Sequence, residues 1–153
     1  MRILGKSIVL FFLFINISYA DLIKPNSKLK PIEVLLIQLN SLKNNNVPYK
    51  DAGIEQTWEF AHPKNKRITG PLDKFKKMIY SKNYKILISH TNNEIKLLTE
   101  TKSKLVYQVF ILSKSKKKYY YIWQIEKVFL DGNFKNCWMT TSVSNPSYIG
   151  DII

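Results

Sequence analysis

Near Tyr84 the hydrophobic period of this chain switches, once, from that of helices to that of strands. Before the switch, Ile32, Leu35, Leu36, Leu39 and Leu42 mark a helix that opens at Pro31 and stops at Asn44-Asn45-Asn46. Val34 and Ile37 lie off that stripe, so this helix is expected to be covered on more than one side. Asp51 is a candidate cap for a second, short helix, with Ile54, Trp58 and Ala61 along its apolar side. His62-Pro63 ends it, because a residue before proline avoids the α region. A loop then runs to Gly70. Pro71 opens a third helix with Leu72, Phe75, Met78 and Ile79 on one face.

After Tyr84 the segments are shorter and richer in β-branched and aromatic residues. Lys85–His90 is a candidate short strand and Glu94–Thr99 a second. Leu105–Leu112 is a stronger strand, Tyr119–Phe129 a long one, and Phe134–Val143 the last. Ser113–Lys118 reads as a lysine-rich hairpin tip and Asp131-Gly132 as a tight hairpin turn. Helices followed by a meander of strands predict an α+β fold, with three N-terminal helices on one face of an antiparallel sheet of about four strands. One domain is expected over residues 31–145, with a flexible lead-in at 21–30 and a loose tail at 146–153.

The first twenty residues have a different character. Arg2 and Lys6 form a basic start, Ile8–Ile17 is an apolar run, and Ser18-Tyr19-Ala20 supplies small residues around a cleavage point. That is the three-part pattern of a signal peptide, removed after Ala20, and the run is too short for a bilayer span. The expectation is an exported product, periplasmic or secreted, with no membrane anchor after cleavage. Residue 21 is Asp, so the cut does not create a lipid-bearing Cys. Cys137 is the only cysteine, which excludes an intrachain disulfide and leaves core burial to hold the fold. It reads as a buried small apolar residue.

The formal charge is +13, yet of 24 basic residues only Arg2 and Arg67 are arginine. Arginine grips phosphates and guanine edges bidentately, so its scarcity argues against a nucleic-acid partner. The lysines read mainly as solvated surface.

A sheet covered on one face should alternate cleanly between apolar and polar residues. These strands do not. Leu105, Tyr107, Val109 and Ile111 share one face while Val106, Phe110 and Leu112 oppose them; Tyr119, Tyr121, Trp123 and Ile125 share a face, opposed by Tyr120 and Ile122. One face must meet the helices. The other is expected to meet a second subunit, to line a pocket, or to lie half exposed.

The run Trp58-Glu59-Phe60-Ala61-His62-Pro63-Lys64-Asn65-Lys66-Arg67-Ile68-Thr69-Gly70-Pro71, followed by Phe75, Met78 and Tyr84 and by Gly132–Met139 near the end, resembles a family of small proteins grouped as a domain of unknown function. The resemblance covers about Ile32 to Val143. His62 stands where that family more often has Ser. The family looks like a member of the nuclear-transport-factor-two-like, or cystatin-like, α+β superfamily. This implies a curved sheet wrapping three helices into a cone. That superfamily hosts enzymes, ligand binders and dimerisation modules, so it does not by itself imply a function.

Trp58, His62, Arg67, Tyr107, Tyr121 and Trp123 form the candidate ligand-binding set. Arg67 either holds an anionic ligand at the cone mouth or ties its loop to Glu59 or Asp51. His62 and His90 lack the ligand spacing of a metal site, and no metal or cofactor is expected. Glu126 and Gln124 share a face with Tyr120 and Ile122. The chain carries no Ser/His/Asp set, no Gly-rich phosphate loop and no paired carboxylates, and no catalytic residue is assigned. Three readings follow. The first is an exported, non-enzymatic binding or interaction module, dimeric through its sheet, taking a small anionic or apolar ligand. The second is a pocket enzyme with acid–base chemistry from His62, Glu126 or a tyrosine. The third is a binder of anionic surfaces through Lys114–Lys118.

Overall fold

The structure, a computed structural model, describes residues 21–152; the signal-peptide reading of Arg2 to Ala20 lies outside the described residues. Four helices precede five strands: α1 (Pro31–Lys43), α2 (Ala52–Glu59), α3 (Pro63–Thr69), α4 (Leu72–Ile79), β1 (Asn92–Glu100), β2 (Lys104–Leu112), β3 (Lys117–Lys127), β4 (Trp138–Val143) and β5 (Ser147–Asp151). The α+β class and the antiparallel sheet are as expected, and the sheet is not closed.

The helix count is four rather than three because Pro63 starts a helix as well as ending one. Proline suits the first helical position, and the His62 ring supplies the cap, its Nδ1 accepting the Lys64 N–H at 3.1 Å. Asp51, the expected cap of α2, has φ 66° and no side-chain cap bond. Its carboxylate accepts the Tyr80 hydroxyl and lies 3.9 Å from Lys76, which ties the start of α2 to α4. Lys76 also holds Glu55 at 2.7 Å. In α1 the buried face is Val34, Leu35, Gln38, Leu39 and Leu42, whereas Ile32 and Leu36 are exposed.

Lys85–His90 is not a strand. Lys85–Leu87 forms a 3₁₀ turn that drops Leu87 into the core, and the Ser89 N–H then bonds the Leu42 carbonyl at the end of α1. Asp131-Gly132 is not a two-residue hairpin either. Backbone bonding continues past β3, with the Val128 N–H donating to Cys137 O and the Val128 carbonyl accepting the Asn136 N–H, and Phe129–Lys135 forms a wider loop. That loop is why β4 begins at Trp138, four residues later than expected from Phe134. Residues 21–30 are held at α2: Ile23 and the Gln56 amide exchange bonds of 2.7 and 2.8 Å. The expected loose tail contains β5, paired with the start of β3.

The strand order is β1-β2-β3-β4, with β5 also on β3. β4 pairs Trp123–Lys127 and β5 pairs Lys117–Tyr120, so the last two strands share one edge of β3. Between them Ser144 bridges the gap, its N–H to the Ile122 carbonyl and its hydroxyl oxygen accepting the Ile122 N–H. Leu105, Tyr107, Val109, Ile111, Tyr121, Trp123 and Ile125 point at the helices and are buried with Leu35, Leu39, Ile54, Phe60 and Phe75. A separate small cluster joins Val128, Cys137 and Met139, with Phe134 against it. The Cys137 thiol is pushed up by burial, in keeping with its reading as an apolar core residue.

Candidate functional site

Between the helices and the inner face of the sheet lies a cavity of about 210 Å³. α1 contributes Gln38 and Leu42, α4 contributes Phe75, Met78 and Ile79, β3 contributes Trp123, and β4 contributes Thr140–Val143. Its position follows from two local features. The Phe60–His62 segment is bonded to the β4 edge, with Thr140 N–H to Phe60 O and His62 N–H to Thr140 O, both at 2.8 Å. This holds the α2–α3 corner at the cavity wall. At the other side, Gly70 lets α4 turn in beneath Trp58: a Cβ there would fall 2.8 Å from the Trp58 ring.

The polar groups around the cavity bond to one another. The Trp123 indole N–H donates to Thr140 Oγ1 at 3.0 Å, Thr140 donates to Gln38 Oε1 at 2.5 Å, and the Gln38 amide donates to Thr57 O at 3.1 Å. Asn65 donates to Thr140 O at 3.2 Å. Tyr84 is the only ionisable residue in the lining among the described residues, and its hydroxyl donates to Val143 O at 3.1 Å. Burial raises its pKa above the usual tyrosine value. Among the described residues every sealed side-chain N or O has a partner. What remains for a ligand is apolar wall with a few hydroxyls.

The six candidate residues do not form one site. Trp123 lines the cavity. Tyr121 is fully buried beside it, its hydroxyl donating to Asn83 O at 2.7 Å, and its phenol is pushed far up by burial. Tyr107 is buried and touches a separate shallow groove by β1. Trp58 is half-buried, stacked obliquely on Phe75 at 5.0 Å, with the Lys66 ammonium 5.1 Å from its ring and 5.5 Å from Phe134. Arg67 is exposed on α3 and makes no ion pair among the described residues; Glu59 pairs with Lys24, and Asp51 with Lys76. The sequence missed Thr140 and Gln38. A buried Gln on a helix face and a Thr pair in a strand were the available signals.

His62 opens elsewhere. With Lys64, Ser103, Lys104, Glu126 and Phe129 it lines an outer groove of about 410 Å³. His62 and Glu126, each a separate candidate for acid–base chemistry from the sequence, thus line one groove, which lies outside the cavity. Burial chiefly lowers the His62 pKa, and Lys64 and Arg67 lower it further against the opposing pull of Glu126. Glu126 accepts the Gln124 amide at 2.7 Å and lies 3.8 Å from Lys64. His90 is buried and bonded at both ring nitrogens, to Leu87 O at 2.8 Å and the Asn93 amide at 3.0 Å. No group of three or more His, Cys, Asp or Glu among the described residues is placed to hold a metal. No described helix is long and apolar enough to cross a membrane.

No family model, curated protein or solved structure matches this chain.

Proposed function

We propose that this protein is a non-enzymatic binding module whose cavity takes one small, neutral, mainly apolar molecule. The observation that carries the reading is the cavity lining: apolar side chains from the helices and the sheet, hydroxyls that are mostly already bonded, and, among the described residues, no carboxylate, histidine or lysine. A dry cavity of about 150 Å³ accepts a benzene-sized molecule, so about 210 Å³ suits a single ring or a short branched chain. The nuclear-transport-factor-two-like relationship and export through a cleaved leader belong to the same proposal. Helices against one face of an open antiparallel sheet support the first, and the Arg2–Ala20 pattern supports the second.

Native mass spectrometry of the purified protein, before and after denaturation, tests the reading. A small molecule released on denaturation, and absent from a Met78→Trp variant that fills the cavity, is the expected result. Wild-type and Met78→Trp proteins that both carry nothing, and that show no difference in melting temperature shift across a panel of small aromatic compounds, would overturn it.

A second reading rests on the outer sheet face. Val106, Phe110, Leu112, Tyr120 and Ile122 form a half-exposed row there, with Phe110 and Tyr120 in ring contact at 6.2 Å. This row, rather than Tyr121 and Trp123, is where a sheet-mediated homodimer would form. Sedimentation of wild type and Phe110→Glu separates the two: a dimer abolished by the charge upholds this reading, and a monomer at high concentration rejects it.

A further inference from the structure

We propose that the outer groove between α3 and the β3–β4 loop is a second binding site, for an oxyanion such as phosphate or carboxylate carried on an apolar chain. It is separate from the cavity and does not depend on the cavity's function. The groove's polar lining includes a positioned donor. The His62 side chain is almost wholly buried, and its Nδ1 accepts the Lys64 backbone N–H, so the neutral ring carries its proton on Nε2. Nε2 has no partner among the described residues. Since every sealed side-chain nitrogen among them is partnered, Nε2 is open to the groove it lines.

Lys64 and Lys104 flank this donor against a single carboxylate, Glu126. Lys64 is 63% exposed and only loosely engaged with Glu126 at 3.8 Å, so its ammonium is available to a ligand. Arg67 adds a further positive charge that is felt at His62. The same groove has apolar lining. Phe129 and Leu130 are consecutive loop residues, 67% and 55% exposed, an unusual placement for two large apolar side chains side by side. Charged donors and exposed apolar side chains lining one groove match an amphiphilic anion.

Long-range ¹H–¹⁵N spectra of the histidine rings test this directly, because the chain has only two histidines and the doubly bonded His90 serves as an internal control for folding. Octyl phosphate is the probe, with inorganic phosphate beside it. The expected result is a saturable shift of His62 Nε2, with His90 unmoved and octyl phosphate binding more tightly than inorganic phosphate. Lys64→Gln/Lys104→Gln should weaken octyl phosphate about tenfold through the loss of two charge-assisted contacts. Phe129→Ser/Leu130→Ser should reduce its affinity to that of inorganic phosphate. No shift at His62, a shift indifferent to both variants, or equal binding of the two phosphates would overturn the proposal. Co-sedimentation with vesicles of anionic phospholipid then names the source. Pelleting that requires Phe129 and Leu130 places the anion in a membrane headgroup; octyl phosphate binding without pelleting places it on a free amphiphile, and either upholds the site.

Discussion

Thr140 ties the sheet to α1 through one hydroxyl, which takes the indole N–H of Trp123 on the neighbouring strand and donates to Gln38 of α1. Thr140→Val keeps the shape but leaves a buried donor and a buried acceptor unmet. The expected loss is about 3 kcal/mol, read from the urea midpoint. Tyr121 and Trp123, candidate ligand-binding residues from the sequence, are core residues, and Trp123→Ala should cost about 3–5 kcal/mol in the same assay. The two histidines make stability depend on pH. Burial chiefly lowers both pKa values below the ordinary histidine value of about 6.5. Between those lowered values and about 6.5 the unfolded chain binds more protons than the folded one, so stability is full above that window and falls as pH drops through it. Urea midpoints at pH 7.5 and 5.5 should differ in that sense. His90→Gln, which removes one titrating ring, should shrink the difference; an unchanged difference would show that His90 does not contribute.

At the scale of elements, the α1–α2 crossing depends on Gly53. A Cβ there would lie 2.0 Å from the Ser41 carbonyl oxygen, so Gly53→Ala should push the helices apart and lower the melting temperature by several degrees, as overpacking by about 1–3 kcal/mol would. α3 is held to the β3–β4 loop by Lys66 between Trp58 and Phe134. Burial pushes that ammonium below the usual lysine range, so the contact has a desolvation cost as well as a cation–π gain. These elements also show what was readable in the sequence. α1, β2 and β3 are long and strongly periodic, and all three were visible. α3 was not, because its seven residues have no buried apolar face and its cap is a histidine, which propensity does not flag. The 3₁₀ turn mimicked a strand because it is a short apolar run with two β-branched residues, Ile86 and Ile88, whereas the Ser89 N–H bonds the end of α1 rather than a strand. Of the site, Trp123 was legible as an aromatic strand residue. Gln38 and Thr140 were not, because their importance comes from meeting across 102 positions of sequence.

For the molecule as a whole, the helices and the inner sheet face share one main core, while Val128, Cys137 and Met139 form a small cluster of their own beneath the β3–β4 loop. The lysine tip seen in the sequence is narrower than it looked. Lys117 and Lys118 belong to β3, and Lys118 lies over Phe110 at 5.0 Å, which leaves Lys114, Lys116 and Lys117 exposed to solvent. Binding of an anionic polymer through this tip should therefore be weak and vanish by about 0.15 M salt. The small cluster has a practical consequence. Its Cys137 carries the only thiol in the chain, 2% exposed and with a raised pKa, so an alkylating reagent can reach it only when that corner opens. Labelling kinetics at rising denaturant thus give the protein its own clock. A rate that climbs well before the tryptophan signal changes would time the β3–β4 corner as a unit that opens ahead of the main core, and coincident transitions would show the two clusters melting as one.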